Sequence, residues 1–158
     1  VQRAIGDSLV LMYNAFLTKL PGGETSRARF PWHQDQVFRD VEPARTCAVW
    51  VALDDVDPGN GCLWFSEDPG RFLPHQRAPA GRWALVEPPA GMGQALPLPA
   101  GEAVLISPTQ IHRTLENDAP APRRALILQY APAHAFDHVE ARRLCDQPER
   151  PLLPDGAP

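Results

Sequence analysis

The chain has 158 residues, 44% of them hydrophobic and 22% charged, with a formal net charge of −4. That length makes one domain with a real core. The acidic balance removes any electrostatic reason to bind nucleic acid or an anionic membrane surface, and no apolar run reaches the roughly 18 residues of a membrane span. Arg3, Asp7 and Lys19 fall within the first twenty residues, without a secretory basic-then-apolar layout, so a cytoplasmic location is expected. Cys47, Cys62 and Cys145 are odd in number and widely spaced, which fits neither a disulfide framework nor a zinc cluster. Cys47 and Cys62 read as small apolar fillers of strands. Nineteen prolines forbid long helices and favour short strands joined by irregular loops. The sequence opens at Val1 and runs at once into an apolar stretch, so an N-terminal portion is expected to be missing from it.

Residues 8–20 are apolar and aromatic enough for one long or two broken strands, ending at Pro21-Gly22-Gly23. A polar loop at 22–29 leads to Phe30-Pro31-Trp32-His33-Gln34-Asp35-Gln36. From Arg45 to Leu53, apolar residues of both parities predict a strand buried on both faces. Asp54-Asp55-Val56-Asp57-Pro58-Gly59-Asn60-Gly61 reads as a solvated turn rather than a calcium loop, which lacks its distal Glu. Residues 62–65 then return as a strand, predicting a hairpin with 45–53. Further strands are predicted at 83–86, 95–98, 102–106 and 123–130, the last closed by Pro132. Residues 134–147 predict one short helix with Ala135, Val139 and Leu144 on a loose stripe, and 148–158 a frayed end. About eight short strands separated by turn signals argue for a mainly β sandwich, jelly roll or barrel with few helices. Residues 1–133 form the expected core, and 134–158 a terminal helix and tail.

His33 and Asp35 stand two residues apart, and in an extended strand they point the same way. Such a pair is two-thirds of a 2-His-1-carboxylate iron site, which leaves coordination positions open. The third ligand must come from a distant strand. Among His75, His112, His134 and His138, the best placed is His112, which follows a strand and a Ser-Pro turn. His134 and His138 fall on the predicted terminal helix, where a solvated face is expected.

Four motifs in this order carry a resemblance: Pro31-Trp32-His33-Gln34-Asp35-Gln36, Val49-Trp50-Val51-Ala52-Leu53-Asp54-Asp55, Asn60-Gly61-Cys62-Leu63-Trp64, and Pro99 to Leu105 leading up to His112. Over residues 8–132 the chain resembles the phytanoyl-CoA dioxygenase family. The resemblance implies a double-stranded β-helix (jelly roll, cupin-like) and dependence on Fe(II), 2-oxoglutarate and O2, with His33, Asp35 and His112 as iron ligands. It also implies Arg123 as the anchor of the far 2-oxoglutarate carboxylate, which a planar guanidinium suits, with Thr114 as a second donor there. Trp50 corresponds to an aromatic wall of the cosubstrate pocket, Gln34 to a position near the cosubstrate, and Lys19 to a lysine near the site entrance. Arg124 is expected on the opposite face of its strand.

The retained Asp35 argues for hydroxylation rather than halogenation, since related halogenases replace the carboxylate by a small residue. Two departures stand out: Ser66-Glu67-Asp68-Pro69-Gly70-Arg71-Phe72 replaces a usual Pro-Gly-Ser-His turn, and Arg113 occupies a usual glycine position. The family's N-terminal bracing segments are not matched. The expected function is hydroxylation of an unactivated C–H bond of a small organic or acyl substrate, with release of succinate and CO2 and no nucleic-acid or membrane partner. Two other readings are a cupin-like metal enzyme that does not use 2-oxoglutarate and a truncated, non-catalytic β-sandwich that binds a ligand.

Overall fold

The computed structural model describes residues 1–6, 8–22, 29–38, 40–42, 45–78, 81–138 and 141–143. Among them run thirteen strands: β1 (Leu9–Lys19), β2 (Phe30–His33), β3 (Val41–Glu42), β4 (Cys47–Ala52), β5 (Leu63–Phe65), β6 (His75–Arg77), β7 (Trp83–Leu85), β8 (Gln94–Leu96), β9 (Ala103–Ile106), β10 (His112–Thr114), β11 (Arg123–Pro132), β12 (Phe136–Asp137) and β13 (Arg142–Arg143). A four-residue helix, α1 (Gln2–Ile5), and a 3-10 turn at Asp35–Phe38 complete the set. No helix among the described residues is long and apolar enough to cross a membrane.

Two antiparallel four-stranded sheets make the body, ordered β1-β11-β4-β9 and β2-β10-β5-β8. They share a core in which Ala48, Trp50 and Ala52 of the first sheet pack with Cys62 and Leu63 of the second. This is the jelly-roll architecture expected from the sequence. Alternation builds its inner face row by row. Leu17, Ala125 and Ala52 lie side by side, then Ala15, Ile127, Trp50 and Val104, then Tyr13, Gln129, Ala48 and Ile106. The predicted long strand at 9–20 is a single strand, with its register shifted between Leu11 and Tyr13. Pro132 ends β11 from inside, paired with Leu9, rather than closing it from outside.

Three expectations need correction. Residues 45–53 and 62–65 do not form a hairpin: β4 pairs with β11 and β9, β5 with β10 and β8. The turn between them carries the chain from one sheet to the other, as Asp57 Oδ1 accepts the Gly59 and Asn60 N–H groups and Val56 bridges to Leu98. Nor is β4 buried on both faces; Ala48, Trp50 and Ala52 are buried and Val49 and Val51 only half-buried. Finally, the described part of 134–147 is not helical. Phe136–Asp137 pairs with Val41–Glu42 and with Arg142–Arg143. Val139, Leu144, Cys145 and the tail 148–158 lie outside the described residues, as does most of the loop at 22–29. Cys47 and Cys62 are buried and free, as core fillers should be.

Gly93 shows how tightly the second sheet is backed. Its φ is +75°, and an added Cβ would overlap the Phe65 carbonyl and stand 2.6 Å from the Trp32 indole. Trp32 belongs to a buried cluster with Leu85 and Ile111. Gly93→Ala therefore combines left-handed backbone strain with a steric clash, expected to cost about 2 kcal/mol. For a chain of this size that is a fall of roughly 4–8 °C in the thermal midpoint, read by circular dichroism.

Candidate metal centre and its cavity

β10 lies between β2 and β5, and its register sets His112 directly opposite His33. Asp35 reaches the same point by a different route from the extended alternation expected. β2 ends at His33, and the 3-10 turn that begins at Asp35 swings the carboxylate back. Its Oδ1 stands 3.5 Å from Nε2 of His33 and 3.5 Å from Nε2 of His112. The ligand atoms of the three side chains lie within 4.8 Å of one another, and the imidazole ring centroids are 4.2 Å apart.

Hydrogen bonds fix the tautomers. Nδ1 of His33 donates to the Pro31 carbonyl at 2.9 Å, and Nδ1 of His112 to the Gln110 carbonyl at 3.0 Å. A carbonyl only accepts, so each ring carries its proton on Nδ1 and presents a lone pair on Nε2. Burial pushes His112 down to about 4, with the neighbouring His33 adding to it, so it is neutral at physiological pH. Burial alone would raise the Asp35 carboxyl. The facing His112 and His33 and the Gln129 amide, which donates to Oδ2 at 3.2 Å, instead hold it below the usual carboxylate range. Two imidazoles and one carboxylate suit iron(II). Two donors bound to one ion at about 2.1 Å stand no more than about 4.2 Å apart, which both 3.5 Å separations satisfy. The residues present fit a divalent ion.

The three residues open into a cavity of about 570 Å³. Arg123, Thr114 and Trp50 line it, as do Lys19 and Gln129. Arg123 is only 2% exposed. Its Nη2 donates to the Gly61 carbonyl at 2.6 Å and its Nε to that of Asn60 at 3.4 Å, while Trp50 lies with its ring 5.5 Å away. Burial lowers its pKa to about 10, so the guanidinium stays charged. Gly61 is itself closely packed against β1 and the chain after β10. Its φ is +82°, and a Cβ there would fall 2.7 Å from the Leu115 carbonyl and 2.8 Å from Lys19 Cδ. Lys19 faces Arg123 across the β1–β11 ladder and donates to the Leu115 carbonyl at 2.6 Å. Burial, then the nearby Arg123, lowers its pKa to about 7.

Other residues lie elsewhere. Arg124 points out and pairs with Asp54. Gln34 is fully buried but outside the cavity lining, its amide bonded to loop backbone at Arg71, Leu73 and Thr109. Arg113 faces away from the cavity, over Trp32 at 4.4 Å. His134 and His138 are exposed and outside the centre. Sequence reading passed over Gln129 and Tyr13, which line the cavity together with Arg82 of the loop expected there. Gln129 was legible, since it shares strand parity with Arg123.

A model of the family described as Phytanoyl-CoA dioxygenase (PhyH) matches residues 1–125. Phytanoyl-CoA dioxygenase domain-containing protein 1 of Danio rerio is 34% identical over 130 residues, covering 72% of this chain and 42% of that protein. The Mus musculus protein of the same name is 28% identical, covering 92% and 53%. The chain thus spans about half the length of the curated relatives it matches. EvdO2 from Micromonospora carbonacea var. aurantiaca, solved with 2-oxoglutarate, is 26% identical with a TM-score of 0.66, covering 77% of this chain and 51% of that one. A non-heme monooxygenase, ThoJ, shares the fold at a TM-score of 0.72 and 19% identity, covering 86% and 51%. With its fold, its buried His33–Asp35–His112 cluster and a family match over most of its length, the chain belongs to the phytanoyl-CoA dioxygenase (PhyH) family.

Proposed function

We propose that the protein is an iron(II)- and 2-oxoglutarate-dependent oxygenase that hydroxylates a C–H bond of a small organic or acyl substrate. The observation that carries this reading is one cavity that holds both a tautomer-fixed His33–Asp35–His112 set and a buried, charged arginine. Membership of an oxygenase family supports it.

In this reading His33, Asp35 and His112 hold the iron and leave its other positions to cosubstrate, oxygen and substrate. Iron bound with 2-oxoglutarate and oxygen supplies the oxidation: one oxygen atom enters succinate, the other the substrate, and carbon dioxide leaves. The residues of the chain bind, orient and exclude water. Arg123 takes the far carboxylate of 2-oxoglutarate, with Thr114 as a second donor from β10 and Trp50 as the wall that fixes its direction. Gln129 holds Oδ2 of Asp35, which keeps Oδ1 turned to the ligand set. Tyr13, Leu17 and Ile127 give the cavity apolar walls, and its volume is in the usual range for small-molecule sites.

Under anaerobic conditions the protein with iron(II) and 2-oxoglutarate is expected to show a visible metal-to-ligand charge-transfer band. His112→Ala should abolish it; a band that survives the substitution refutes the ligand assignment. Arg123→Ala should weaken 2-oxoglutarate binding roughly 30- to 150-fold, equivalent to about 2–3 kcal/mol, and leave iron affinity unchanged by calorimetry. Equal loss of both would argue against the carboxylate-binding role of Arg123.

Lys19 adds a pH signature. With its pKa at about 7 it is half charged at neutral pH and neutral well above it. A dianion bound alongside favours the charged form and draws a proton onto it. Affinity for 2-oxoglutarate should therefore fall as pH rises from about 6 to about 9. Lys19→Met should flatten that profile, measured by titrating the charge-transfer band.

A further inference from the structure

Gln34 sits between two ligands, yet none of its bonds reaches the cavity. Its backbone N–H lies where the chain changes from the extended β2 to the 3-10 turn. A buried N–H at such a break needs a partner, and His75 supplies it: Gln34 N donates to His75 Nε2 at 3.1 Å. Nδ1 of His75 donates to the Leu73 carbonyl at 2.8 Å, so Nε2 is held as the acceptor. The ring is stacked on Phe72, 5.0 Å between centroids and 13° between planes. The Gln34 side chain extends the tie. Its Nε2 donates to the carbonyls of Arg71 and Thr109, and its Oε1 accepts from the Leu73 N–H at 2.8 Å. Thr109 precedes His112 by one turn of chain. One residue thus joins the segment that carries His33 and Asp35 to the segment that leads into His112, and His75 pins that residue's backbone.

We propose that His75 is a positioning residue for the metal centre, acting through Gln34. Acceptance of the Gln34 N–H by Nε2 sets the pitch of the 3-10 turn and so places Asp35 Oδ1 at equal distances from both imidazoles. The inference rests on the metal-centre reading above. His75 touches no ligand atom and takes no part in the chemistry.

Two substitutions separate the hydrogen bond from the packing. His75→Phe keeps a ring on Phe72 and removes the acceptor. His75→Gln removes the ring, and its carboxamide oxygen can occupy the place of Nε2. Cobalt(II) alone is the probe, titrated into metal-free protein and followed by its visible absorption. The expected result is a cobalt affinity lowered about tenfold or more in H75F, the order seen when supports behind metal ligands are lost. Its absorption bands should shift, while those of H75Q and its affinity stay close to wild type. Equal binding by wild type and H75F, or equal loss in both variants, overturns the role of His75. Should H75F fail to fold, H75Q decides alone: wild-type affinity sustains the proposal and a loss overturns it. A wild-type chain that takes up no cobalt overturns the metal centre itself and the role of His75 with it.

Discussion

The metal centre depends on the antiparallel pairing of β10 with β2, which places His112 opposite His33 across the second sheet. In a pleated sheet a slip of one residue exchanges the two faces, and would bring Arg113 inward and turn His112 out. The opposite face resists that slip. Arg113 lies over Trp32 of β2 at 4.4 Å and over Trp64 of β5 at 5.7 Å, and donates to the Met92 carbonyl at 2.9 Å. A cation held between aromatic rings on both flanking strands contributes about 1 kcal/mol, and it does so only in the observed register. Arg113 thus has a reason that lies behind the site rather than in it.

Burial governs the electrostatics on the other side of the cavity. A guanidinium removed from water loses several kcal/mol of hydration, and Arg123 recovers only part of it from the Gly61 and Asn60 carbonyls. Carbonyl dipoles are weaker partners than a carboxylate. A buried anion placed beside Arg123 would therefore relieve a penalty the fold already carries, which is the physical basis of the proposed role for Arg123 in 2-oxoglutarate binding. Lys19, with its pKa lowered for the same reason, follows the same logic with a proton that can come and go.

Much of this arrangement was legible in the sequence because it follows period two. Arg123, Ala125, Ile127 and Gln129 share a face; Arg123 and Arg124 are the same residue type, so the resemblance singled out the first and strand parity turned the second outward. His33, Asp35 and His112 could be read from spacing and motif order. What could not be read was partnership between strands. Residues 45–53 and 62–65 look like a hairpin because adjacent strands usually pair, but in a jelly roll the short turn at Asp54–Gly61 changes sheet. The predicted helix at 134–147 failed for a related reason. In its described part Phe136–Asp137 pairs instead with Val41–Glu42, a contact between segments far apart in sequence. Gln34 was placed near the cosubstrate by the resemblance alone; alternation already turned it away from the iron, and its side chain is bonded to loop backbone outside the cavity lining.

The hairpin of β6 and β7 draws these points together. Its pairing sets His75 opposite Leu85 and Arg77 opposite Trp83, so its two ends grip β2 at both ends. Nε2 of His75 receives the N–H of Gln34 just past His33, and the Arg82 guanidinium lies 4.2 Å over the ring of Phe30 where β2 begins. Phe30 in turn packs on His33 at 4.4 Å. Residues 66–72, which the resemblance marks as a departure, lead into this hairpin, and Arg82 lines the cavity. The hairpin that contributes to the cavity lining is therefore also the one that backs the candidate metal ligands. Changes in it reach His33 and Asp35 through Gln34 and Phe30 as well as the cavity wall, so the hairpin and the His–Asp–His cluster are one mechanical unit.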